Sequence, residues 1–137
     1  MFFKNSENNI KENDFEKVAA LLIYAAKIDE NFSEKEEKII NQTLIKIGAS
    51  KEKITKIIQV GKKIEKNSNQ ILEFTKEVKN MNDKNKIKII EALWRIIYSN
   101  KEADIYESNL MRRLAGLLYV DSKTMGSIKE KIKKENM

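Results

Sequence analysis

Two short stretches of the chain gather oxygen-bearing side chains at matching intervals: Asp29, Asn31, Ser33 and Glu36, then Asn100, Glu102, Asp104 and Glu107. A set of carboxylates, amides and hydroxyls without imidazole or thiolate suits a hard divalent cation such as calcium. The spacing departs from the calcium loop of helix–loop–helix proteins, which needs glycine at its sixth position, where this chain has Glu34 and Ile105. The same residues also have a purely structural reading. Ser33 with Glu36, and Asp104 with Glu107, each fit a capping box, in which the first side chain accepts from the third helical N–H and the glutamate reaches back to the cap N–H. Negative charge at that position also complements the helix dipole. Capping leaves Asp29, Asn31, Asn100 and Glu102 without a role, so both readings stand. The candidate metal ligands are Asp29, Asn31, Glu36, Asn100, Glu102, Asp104 and Glu107.

Other chemistry is largely excluded by composition. Cysteine and histidine are both absent, which removes the thiol nucleophile, the disulfide framework and the commonest general base and zinc ligand. A carboxylate-based hydrolase would need Asp and Glu in a desolvated pocket with divergent pKa values, and nothing in the two stretches suggests burial. No catalytic residue is therefore assigned, and no cofactor beyond a divalent cation.

The net charge of +6 raises the question of nucleic acid. Only three of the 27 basic residues are arginine, Arg95, Arg112 and Arg113, and the lysines lie beside glutamates along nearly every segment. Base readers want clustered arginine, so this pattern reads as a solvated surface. No apolar run approaches the roughly 18–20 residues of a membrane span, and a cytoplasmic location is expected.

Something must hold these side chains in place, and the composition points to helices. Proline is absent, glycine occurs four times, and 41% of the 137 residues are hydrophobic, enough for one domain with its own core. Residues 1–12 read as a flexible N-terminal tail and 13–135 as a single helical domain. Asn13 or Asp14 opens a first helix ending near Ile28, with Phe15, Val18, Leu22 and Ala25 on one face. Ser33 opens a second that Gly48 ends, and Ser50 opens a third. A fourth carries Ile71, Leu72, Phe74, Val78 and Met81. Asp83 starts the fifth, whose two apolar stripes, Ile87–Ile90–Trp94–Ile97 and Ile89–Leu93–Ile96, mark a central helix. Asp104 and Asp121 cap the sixth and seventh, the latter fading into a lysine-rich, solvated end.

One offset of 71 residues superposes the two halves without a gap: Asp29 falls on Asn100, Ser33 on Asp104, Glu36 on Glu107 and Ile47 on Leu118. The expected architecture is all-α: seven helices built from two pseudo-symmetric hairpins, with the first and fifth helices in contact.

The stretches ALLIYAAKIDENFSEKE and EALWRIIYSNKEADIYESNLMRRLAGLLYVDS resemble the two halves of the bacterial TerB-like family, related to tellurite resistance protein TerB and to the N-terminal domain of the co-chaperone DjlA. The match covers about residues 13–132. It falls on Asp29 and Glu36, then on Glu91, Ala92, Leu93, Trp94, Glu102, Asp104, Tyr106, Glu107, Leu110, Arg112, Arg113, Ala115, Leu117 and Leu118. Where the family has Asp-Gly in each loop, this chain has Asp29-Glu30 and Asn100-Lys101. The resemblance implies a seven-helix TerB-like bundle acting as a non-catalytic, stress-associated module, with a protein partner and a divalent cation at the doubled loops. The alternative reading is a basic protein associated with nucleic acid or with a membrane surface, the latter through MFF and the basic C-terminal helix. Arg112 and Arg113 are expected to pair with Glu102 and Glu107 at the surface, and Trp94 and Tyr106 to anchor the core.

Overall fold

A computed structural model of the chain describes residues 10–27, 33–68, 71–99 and 105–135. Among them lie seven α-helices and no strand: α1 Glu12–Ala26, α2 Glu34–Lys46, α3 Ile54–Asn67, α4 Leu72–Lys79, α5 Asp83–Tyr98, α6 Ile105–Leu117 and α7 Ser122–Glu135. The all-α expectation holds. The expected tail, residues 1–12, falls mainly outside the described residues.

α1 is the hub. Val18 to Ile23, Ala25 and Ala26 are all buried, so from Val18 onward this helix is apolar on nearly every side and must be enclosed by others. It packs against α2, α3, α4 and α5. The wide apolar face of α5 (Ile89, Ile90, Leu93, Trp94, Ile96 and Ile97) is buried as its stripes predict, against α1, α2 and α7, except that Ile87, the first residue of one stripe, is 38% exposed in the first turns of the helix. The expected contact between the first and fifth helices is present.

Several boundaries differ from the sequence reading for local reasons. α1 begins ahead of Asn13: Lys11 takes the cap position, and the Asp14 carboxylate accepts from its backbone N–H at 3.4 Å. Ser50 does not cap α3 with its side chain. A single 3-10 turn, Lys51–Lys53, intervenes, and the Ser50 hydroxyl donates instead to Glu52 Oε2 at 3.1 Å. α5, by contrast, starts at Asp83 as expected, behind Asn82 as its cap, whose side chain accepts from the Asn85 N–H at 2.8 Å. Asp121 caps α7 as expected, accepting from the Thr124 N–H at 3.3 Å. Hydrogen bonds from Thr124 hold its carboxyl below the usual carboxylate range.

The last helix is docked along one edge, while Lys131, Lys133 and Lys134 stay exposed as its lysine-rich end predicts. Ile128 and Ile132 are buried, and two ion pairs tie α7 to α5: Lys131 to Glu91 at 2.7 Å, and Arg95 to Glu135 through two bonds of 3.1 Å. The contact with Arg95 lowers the pKa of Glu135. Exposed pairs of this kind contribute about 0–1 kcal/mol each, so the buried isoleucines do most to hold the helix.

α2 and α6 end in the same way, 71 residues apart. Gly48 has φ +113° and Tyr119 φ 56°. The Ala49 N–H donates to the Leu44 carbonyl at 2.9 Å, and Val120 to Ala115 likewise at 2.9 Å. Both are left-handed caps with a six-residue return bond. Tyr119 sits in the small left-handed region open to side chains, whereas the larger φ of Gly48 lies beyond it. Replacing Gly48 with alanine is expected to cost about 1–2 kcal/mol through backbone strain alone, because the added Cβ would meet only Phe15, at an ordinary 3.9 Å. Urea unfolding with an unchanged slope and a lowered midpoint would show it; an unchanged midpoint would mean that this turn tolerates a side chain.

Candidate functional site

The first acidic stretch follows α1 and precedes α2 in the chain, and the second follows α5 and precedes α6. Of the candidate ligands, Asp29, Asn31, Asn100, Glu102 and Asp104 lie outside the described residues, as does the side chain of Glu107 within α6. Glu36 is described, together with the stems on either side.

Ser33 and Glu36 form the expected capping box. The Ser33 N–H donates to Glu36 Oε1 at 2.8 Å, its hydroxyl donates to the same oxygen at 3.1 Å, and the Glu36 N–H donates back to Ser33 Oγ at 3.2 Å. Glu36 is 1% exposed. A carboxylate this deep must be well supplied with donors. Its place in the first turn of α2 adds the favourable end of the helix dipole. One of its oxygens is thus taken up by the fold.

The stems of the two stretches meet. Lys35, one residue before Glu36, donates from Nζ to the backbone carbonyl of Ser99 at 3.4 Å. Ser99 is the C-cap of α5, its hydroxyl bonded to the Ile96 carbonyl at 2.6 Å. A cation at a helix C-terminus complements the dipole there. The entry to α2 and the exit from α5 are therefore neighbours. On the other side of the first stretch, Lys27 at the end of α1 pairs with Glu65 near the end of α3 at 2.9 Å. Among the described residues no group of three or more acidic side chains could hold a metal. As a donor set, the oxygen-only loop residues fit a hard cation and no soft one.

Sequence reasoning did not anticipate a cleft of about 210 Å³ at the junction of α5, α6 and α7. Trp94, Met111 and Met125 line it together with Arg112 and Lys129. Trp94 is the core anchor its stripe predicts: it is buried, stacks on Tyr98 with ring centroids 5.9 Å apart, and has the Lys129 ammonium 5.5 Å from its ring. Its indole N–H finds no acceptor among the described residues. Arg112 and Arg113 make no ion pair among the described residues; the side chains of Glu102, Tyr106 and Glu107 lie outside them. The signal was present in the sequence as Gly126 and Lys129 one helical turn apart, but only the crossing of α5 under α7 joins them to Trp94.

The fold and these stems define an all-helical module, with no helix among the described residues long and apolar enough to cross a membrane. The family model described as tellurite resistance protein TerB matches residues 15–130, and the chain belongs to that family. No curated protein and no solved structure matches it significantly.

Proposed function

We propose that this chain is a non-catalytic, stress-associated TerB module that binds a protein partner and, through its two acidic stretches, a divalent cation. The observation that supports this is the Lys35–Ser99 bond, which sets the starts of α2 and the end of α5 side by side. Two oxygen-rich segments anchored at neighbouring points are suited to share one cation, which neither would hold well alone. Glu36 serves mainly as the capping residue, and the ligands come from Asp29, Asn31, Asn100, Glu102, Asp104 and Glu107.

Calcium titration followed by thermal melting tests the cation directly. With a dissociation constant near 0.1 mM, a hundredfold excess stabilises the folded state by about 2.7 kcal/mol, a rise in melting temperature on the order of 5–10 °C. The rise is expected to vanish when Asp29 and Asp104 are both changed to alanine. An unchanged melting temperature at 10 mM calcium, a concentration roughly a hundredfold above that constant, removes the cation from the proposal. Cross-linking of the full chain in its native cell tests the partner.

A further inference from the structure

We propose that the cleft between α5, α6 and α7 is the docking point for that partner, and that it receives an apolar side chain flanked by carboxylates. This rests on the reading of the chain as a protein-binding module. The size of the cleft argues for one side chain: about 210 Å³ falls below the roughly 300–1,000 Å³ of sites that enclose a cofactor or drug-sized ligand. Its walls argue for an apolar one, since Trp94, Met111 and Met125 line it and methionine adapts to whatever shape enters.

The charge is one-sided. Among the described residues Arg112 and Lys129 are the only ionisable ones that line the cleft, two cations with no carboxylate beside them. Arg112 makes no ion pair among the described residues. Two other hollows differ: one sets Lys17 and Lys76 against Glu73 and Glu77, the second Lys86 against Asp83 and Asp121. Each of those holds at least as many carboxylates as cations. Among its described residues the α5–α6–α7 cleft sets an apolar floor beneath a positive rim, the pattern that selects an apolar side chain flanked by acidic ones over a basic motif. Aromatic and arginine side chains at the centre of an interface are also those that carry most of its affinity.

Gly126 supplies a test that spares the fold. It lines the cleft, and a Cβ built there would meet nothing within 4 Å. Gly126→Leu thus fills the cleft while placing a better helix former in α7, and its melting temperature is expected to equal or exceed that of the parent. Trp94 is the only tryptophan, so its indole N–H gives a single NMR resonance at the site. The probes are the peptides acetyl-Asp-Glu-Phe-Glu-Asp-amide and acetyl-Lys-Lys-Phe-Lys-Lys-amide, titrated into the full chain. The acidic peptide is expected to shift the indole resonance saturably and the lysine peptide to leave it in place. Gly126→Leu and Arg112→Glu should each weaken the acidic peptide by about tenfold or more. An indole resonance unmoved by the acidic peptide, equal binding of the two peptides, or undiminished binding to Gly126→Leu overturns the proposal. Cross-linking the parent and Gly126→Leu in the native cell separates the two readings. A partner captured equally by both overturns the cleft and keeps the module, whereas no partner for either overturns the module.

Discussion

Gly61→Ala is expected to destabilise the protein by about 1–2 kcal/mol, against the usual direction of a glycine-to-alanine change inside a helix. Propensity alone would favour alanine by about 1 kcal/mol. The opposing effect is contact. A Cβ at position 61 would lie 2.8 Å from the Ala19 Cβ, 3.2 Å from the Ala20 nitrogen and 3.2 Å from the Glu16 carbonyl oxygen, where carbon atoms settle at about 3.5–4.0 Å. None of these atoms is the end of a flexible side chain, so α1 and α3 must move apart as bodies. α1 is buried at Val18 to Ile23 and again at Ala25 and Ala26, and separating it from α3 disturbs its packing on α2, α4 and α5 as well. Overpacking of this kind costs about 1–3 kcal/mol, which exceeds the propensity gain. Gly61→Leu adds three more carbons at the same point and is expected to prevent cooperative folding. Calorimetry of Gly61→Ala should show a melting point lowered by about 3–10 °C. Adding Ala19→Gly should recover part of the loss, with a coupling energy of roughly 0.5–3 kcal/mol. A melting point that rises would mean that the two helices are not in fact held this close.

Gly61 also shows where sequence reading stops. Its neighbours Ile54, Ile57, Ile58 and Ile64 announce a helix face at the expected spacing, and Ile54, Ile57 and Ile58 are buried. Nothing local says that the glycine between them is a contact, because its role is set by Ala19 in another helix. The same division runs through the chain. The Ser33–Glu36 box and the Gly48 turn were legible, since each is closed by bonds within a few residues. The stripes of α5 were legible because burial on a helix has a period. By contrast, the start of α1 at Lys11 was missed because lysine offers no capping oxygen, and the box is made from one side only, by Asp14. The docking of α7 was missed for a related reason. Its lysines outnumber its apolar residues, yet Met125, Ile128 and Ile132 recur at intervals of three and four and are enough to bury one edge. At the site, the residue types of the acidic stretches were read directly, while the Lys35–Ser99 bond that couples their stems joins residues far apart in sequence and has no local signature.

Glu36 is the residue on which the capping and metal readings of these stretches divide, and its substitution has the second large effect. Glu36→Ala is expected to cost about 2–3 kcal/mol, because it deletes a charged acceptor from two donors, the Ser33 N–H and hydroxyl, in a part-buried turn. Ser33→Ala, which removes the hydroxyl but keeps the N–H, should cost about 1 kcal/mol. The two losses should fall well short of additive, since both dismantle one reciprocal arrangement. Glu36→Gln keeps the shape and one acceptor but gives up the charge that favours the start of α2, and belongs between the other two. The discriminating measurement is urea unfolding of all four proteins with and without calcium. A capping role makes the penalty of Glu36→Ala the same in both conditions, because the bonds to Ser33 exist without metal. A ligand role would enlarge the penalty when calcium is present and leave Ser33→Ala unaffected by it. With one carboxylate oxygen already accepting two hydrogen bonds, the energy of this side chain is spent on starting the helix, and any cation held between the paired stretches depends on the residues that precede it.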